Sequence, residues 1–168
     1  MLGGPCSIHP SFTIPDLYVP GPAAASSRRS QATLRARLTA VYGAIHRAAP
    51  SARVLVLGYP RLFTAKPAAS APCDVAAVDA KAFSKAENAL NASVAAAVKR
   101  ADALAGKKFA SFVDNGAVFK GHELCAGPAA RSYLNGLVFT SVGPRAESFH
   151  PNRSGQSVLA ARLTKAVR

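Results

Sequence analysis

The stretch RVLVLG (53–58) sets the tightest limit on what this chain can fold into. Its apolar residues follow one another without a break, between Pro50 on one side and Gly58 and Pro60 on the other. Such a run is too short for a buried helix and offers no polar face to water. It reads as a strand covered on both sides, which is the condition of strands in parallel sheets. KFASFV (108–113) reads as a second strand.

The segments around these strands carry helical periodicity. After Ser30, a candidate cap, Leu34, Leu38, Val41 and Ile45 recur at spacings of 4, 3 and 4, and Pro50 ends the pattern. Residues 83–105 read as a second helix, with Phe83, Leu90, Val94, Val98 and Leu104 on its inner face and Gly106 beyond its end. A last helix follows Asn152, with Val158, Leu159, Leu163 and Val167 facing inward. GLVFTSV (136–142), inside a long connection, reads as a short strand. Helices alternating with buried strands imply an α/β layer fold with parallel strands. Two or three strands make a thin sheet. Residues 1–30, rich in Pro, Gly, Ser and Ala, read as an irregular lead-in to a single domain over 31–168.

Charge narrows the function classes. Lys and Arg total 21 against 8 Asp and Glu, a formal net charge of +13. That balance attracts anionic surfaces peripherally. The basic residues are dispersed, as in RRSQATLRAR (28–37), and neither zinc-finger spacing nor an RNP-like aromatic pattern accompanies them. Specific nucleic-acid recognition is therefore not expected. A basic module for nucleic acid or anionic lipid stays as the alternative from another class. No apolar run approaches the roughly 20 residues that span a bilayer, and MLGGPCSIHPSF (1–12) lacks the pattern of a signal peptide.

One motif carries chemistry. In AESFHPNRSG (146–155), Glu147 precedes His150 by three residues, and Pro151 and Asn152 open a helix. In a tight turn the carboxylate reaches the imidazole Nδ1 and stabilises the imidazolium formed when Nε2 takes a proton. Spacing alone also allows an exposed loop histidine beside an unrelated glutamate. In GHELC (121–125), His122 and Glu123 lack the second histidine of a zinc-protease helix, so no metal is expected; His122 reads as a loop-ordering or cleft-lining residue. Asp114 reads as a turn cap, and His9 and His46 have no evident partners. Tyr59 and Phe63, in YPRLF (59–63), are candidate apolar walls of a cleft, or packing residues.

Three blocks together resemble the SGNH, or GDSL-type, ester hydrolases. ESFHPNRSGQ (147–156) resembles that family's C-terminal acid-x-x-His-Pro block. ARVLVLGYPRLF (52–63) and FVDNGAVFKGHELC (112–125) are similar to segments of its secreted actinobacterial branch. The likeness covers about residues 31–168. It implies a three-layer α/β/α sandwich with a parallel sheet and a cofactor-free serine hydrolase, monomeric when complete, acting on an ester or lipid. His150 becomes the general base and Glu147 its orienting acid, although some relatives use a backbone carbonyl there.

The departures are as informative. The family's nucleophile lies in a Gly-Asp-Ser block, which this sequence does not contain, nor does it contain Gly-x-Ser-x-Gly. The glycine and Gly-x-Asn-Asp blocks of the oxyanion hole are unrecognisable, and Asn88, Asn91, Asn115 and Asn135 lie in other contexts. The expectation is the C-terminal part of such an enzyme, weak or inactive alone, or else a non-catalytic remnant of the fold. The resemblance also implies a Cys73–Cys125 disulfide, leaving Cys6 unpaired, and an extracellular setting for the parent family.

Overall fold

The computed structural model describes residues 23–64, 77–136, 139–141 and 143–167. They run α1 (Ala23–Ala48), β1 (Val54–Leu57), α2 (Ala77–Ala105), β2 (Ala110–Val113), a 3-10 turn (Ala129–Arg131), β3 (Phe139–Thr140), β4 (Gly143–Pro144) and α3 (Arg153–Val167). The chain divides into two compact units. One holds the described residues of Tyr18–Tyr59 and Glu87–Gly116, the other those of Pro60–Ala86 and Ala117–Arg168.

The first unit is built on the parallel pair expected from the two apolar runs. β1 and β2 pair in register from Val54 with Ala110 to Leu57 with Val113. Beneath them Tyr42, Ala97, Val98, Ala101, Phe109 and Ala110 form a buried cluster, joined by Leu38, Val54, Val56 and Phe112. Small alanines on α2 let the helix lie close to the strands. Asn91 stands on the same face as Val94 and Val98, and all three are buried. Its Oδ1 accepts the Tyr59 N–H at 2.7 Å and its Nδ2 donates to the Tyr59 carbonyl at 2.8 Å. Asn115, 1% exposed, donates to the Gly58 carbonyl at 3.1 Å. These two amides fix the chain as it leaves β1. Gly58 is required there, because a Cβ would stand 2.7 Å from Phe112 Cζ.

Asp102 joins α2 to the next strand. Its Oδ1 accepts the N–H groups of Phe109 and Ala110, each at 3.0 Å. Asp102→Ala is expected to cost about 1–3 kcal/mol, as two backbone donors lose a charged acceptor. The urea unfolding midpoint measures it; an unchanged midpoint would mean water replaces the carboxylate at no cost.

Several boundaries and faces differ from expectation. α1 begins at Ala23, so Ser30 lies inside the helix instead of capping it, and residues 23–30 are helical, not irregular. The alanines and arginines of this stretch, both strong helix formers, carry the helix through the serines. Val41 and Ile45 are exposed, because Tyr42 turns inward beside the expected Leu38. Leu104 and Val167, expected to face inward, are 65% and 58% exposed at the last turns of α2 and α3. β1 is half-buried along most of its length and exposed at Leu57, short of the cover on both faces expected of it. GLVFTSV contributes β3, which pairs antiparallel with β4.

The second unit packs around Phe119, fully buried, with Phe63, Ala80, Leu124, Cys125 and Leu134. Among the described residues it has no long ladder. Isolated bridges, parallel between Phe63 and Leu124 and antiparallel between Leu134 and Pro151, tie its segments together. Asn152 caps α3 as its residue type predicts: Oδ1 accepts the Gly155 N–H at 3.1 Å, and Nδ2 donates to the Ser132 carbonyl at 2.7 Å.

Candidate functional site

The second unit carries the histidine motif on a tight turn. The Ser148 N–H donates to the Arg145 carbonyl at 3.0 Å, and the His150 N–H to the Glu147 carbonyl at 3.1 Å. Phe149 adopts the left-handed region, at φ +64°. A bulky residue rarely does so, at a cost of roughly 1–2 kcal/mol. Its ring packs edge-on against Phe63, centroids 5.9 Å apart, and belongs to the rim of the core.

This turn sets the proton on His150. Nδ1 lies 3.0 Å from the Ser148 carbonyl oxygen. A carbonyl can only accept, so Nδ1 is the donor and carries the hydrogen. In the neutral ring Nε2 is then left as the lone-pair nitrogen. Among the described residues nothing bonds Nε2, and the side chain is exposed. An imidazole held in this way can take a proton at Nε2.

Glu147 is not placed behind it. Its Oε1 pairs with Arg145 Nε at 2.6 Å, both side chains being about half exposed. The group that orients the imidazole in the structure is the Ser148 carbonyl. The spacing of three residues held, but the left-handed Phe149 turns the ring toward the peptide and away from the carboxylate.

The other candidates separate. His122 stacks on Tyr133, centroids 3.9 Å apart and planes 1° apart. Its Nδ1 lies 2.7 Å from the Arg131 carbonyl and by the same logic carries the hydrogen. Phe63 is 4% exposed in the core, tilted against Phe83, so it packs the interior instead of walling a cleft. Tyr59 lies in the first unit, 59% exposed. Asp114 accepts the Gly116 N–H at 2.8 Å, a turn-capping bond. Glu123, 4% exposed, accepts the Gly121 N–H at 2.7 Å and faces Arg61 at 4.0 Å. Among the described residues no group of three His, Cys, Asp or Glu could hold a metal, and no helix is long and apolar enough to cross a membrane. Cys125 is disulfide-bonded; Cys6 and Cys73 lie outside the described residues.

Sequence reading passed over Asn135. It touches the histidine turn at three points: its N–H donates to the His150 carbonyl at 2.9 Å, its carbonyl accepts the Phe149 N–H at 3.1 Å, and its Nδ2 donates to the Glu147 carbonyl at 3.2 Å. No periodicity marks the position. The only signal is an Asn-Gly pair at 135–136, which reads as a turn.

Comparison with known proteins finds the same family from several directions. The chain is 39% identical over 127 residues to a lipase of Streptomyces rimosus, covering 76% of this chain and 41% of that protein. It is 35% identical over 125 residues to lipase 1 of Streptomyces coelicolor, covering 74% and 41%. The crystal structure of an extracellular lipase from Streptomyces rimosus superposes with a TM-score of 0.56 at 34% identity, over 77% of this chain and 51% of that one. No protein-family model matches. The chain thus spans about two-fifths of the length of the curated relatives it matches.

Proposed function

The chain belongs to the SGNH family of ester hydrolases that includes the Streptomyces lipases, and on that premise we propose that it carries the base half of a serine-esterase site, with His150 as general base and the Ser148 carbonyl as its orienting group. The observation that carries the reading is the bond from Nδ1 to that carbonyl. It leaves the lone pair on Nε2, where a serine hydroxyl would deliver its proton as its oxygen attacks an ester carbonyl. The imidazolium then protonates the departing alcohol, and the same nitrogen activates the water that cleaves the acyl-enzyme.

The substrate class is an ester or lipid, in keeping with relatives that are named lipases. Residues 1–168 contain no Gly-Asp-Ser, so the nucleophile is not assigned to any residue here. The test is ester turnover in a chain that also carries a Gly-Asp-Ser block: removal of His150 abolishes it, and persistence of turnover refutes the assignment.

The disulfide of Cys125 is proposed to run to Cys73, as in an exported enzyme. A loop of about 50 residues closed in this way stabilises by roughly 4 kcal/mol in the chain-entropy model. A thiol count on denatured, unreduced protein is expected to give one free thiol, Cys6, and peptide mapping a 73–125 link. A Cys6–Cys125 link would overturn the pairing.

A further inference from the structure

We propose that Asn135 is the positioning residue of the His150 turn, and that its side-chain amide selects the tautomer of the base; the proposal rests on the reading of His150 given above. A left-handed phenylalanine persists only where its surroundings over-determine it. One restraint acts downstream of the strained residue, the Asn135 N–H holding the His150 carbonyl at 2.9 Å, and one acts on the strained residue itself, the Asn135 carbonyl holding the Phe149 N–H at 3.1 Å. One acts upstream, the Asn135 Nδ2 on the Glu147 carbonyl at 3.2 Å. The Glu147 carbonyl also accepts the His150 N–H at 3.1 Å. Asn135 therefore clasps both ends of the segment whose bend brings the imidazole over the Ser148 carbonyl.

The backbone bonds of residue 135 survive any substitution that keeps the fold, so the amide can be tested by itself. Without it the Glu147 carbonyl keeps only the His150 N–H, a bond within the turn itself, and Phe149 can relax from φ +64° toward ordinary backbone. The His150 ring then loses its fixed acceptor. A free imidazole in water favours the hydrogen on Nε2, the nitrogen that a base must keep unprotonated. Asn135 acts through this tautomer and touches no substrate.

The experiment is nitrogen-detected NMR of the imidazoles in the full chain above the histidine titration range, with His150 assigned from the His150→Gln variant. The parent is expected to show His150 chiefly as the Nδ1–H form. Asn135→Ala, and Asn135→Asp, which keeps the shape but loses the donor, are each expected to lower the Nδ1–H to Nε2–H ratio by about fivefold, the scale of one net hydrogen bond. His122, whose Nδ1 is held by the Arg131 carbonyl at 2.7 Å, is the internal control and is expected to stay unchanged. An unchanged His150 ratio in both variants overturns the proposal. So does a parent already in the Nε2–H form. Equal changes at His122 and His150 in both variants also overturn it, since Asn135 would then hold the fold and not the base. The outcomes stay separable from the reading of His150: a tautomer shift with His150 dispensable for turnover refutes the catalytic assignment alone, and an essential His150 with an unmoved tautomer refutes the positioning alone.

Discussion

A chimera joining residues 31–168 to the part of the Streptomyces rimosus lipase that this chain does not match is expected to hydrolyse a short-chain nitrophenyl ester, and His150→Ala is expected to lower its kcat by about 10⁴-fold or more. The size follows from cooperation. A serine and its base act as a unit, so losing the base costs nearly as much as losing both. Residues 1–168 alone, which hold no Gly-Asp-Ser, are expected to turn over nothing above background. The discriminating variant is Glu147→Gln. Its carboxylate is half exposed and already engaged with Arg145 at 2.6 Å, and an interaction between exposed charges is worth little. Turnover should fall by less than about fivefold. Losses of equal size at Glu147 and His150 would make the carboxylate the orienting group and reject the role of the Ser148 carbonyl. Steady-state kinetics with matched circular dichroism spectra decides between them.

The contrast between these two residues shows how far the sequence could be read. The acid-x-x-His-Pro spacing located the turn, because a proline and a capping asparagine mark where the helix starts. It could not say which acceptor meets Nδ1. That depends on Phe149 lying at φ +64°, and phenylalanine carries no signal for the left-handed region. The strands were legible for a different reason: short apolar runs favour strands, and the two lie side by side and parallel, although β1 is not covered on both faces. Periodicity placed α2 and α3 but rotated the inner face of α1, since Val41 and Tyr42 are equally apolar by pattern and only packing chooses Tyr42. The stretch from Ala117 to Pro151 was least legible. Its segments are held by isolated bridges and by single amides such as Asn135, contacts distant in sequence and without a period.

Phe119→Ala is expected to destabilise the chain by about 3–5 kcal/mol, the largest effect of any single core truncation proposed here. Phe119 is fully buried at the centre of the second cluster. Its ring meets Tyr133 edge-on, centroids 5.6 Å apart and planes 85° apart. It also approaches α3 where the helix has no side chain: a Cβ on Gly155 would stand 3.2 Å from Phe119 Cζ, 3.0 Å from Pro151 Cβ, and against the Tyr133 carbonyl. Relaxation into the void is therefore blocked by backbone on that side, which is the condition under which a cavity keeps its full cost. The urea midpoint, read with unchanged slope, measures the loss. A value below about 1 kcal/mol would show that Tyr133 collapses into the space. That collapse would be visible elsewhere, because Tyr133 stacks on His122 and its carbonyl accepts the Asn152 N–H at 3.0 Å. The segment that holds Asn135 against the histidine turn begins at these contacts, so a variant that escapes the stability cost should surrender the fixed tautomer of His150 instead.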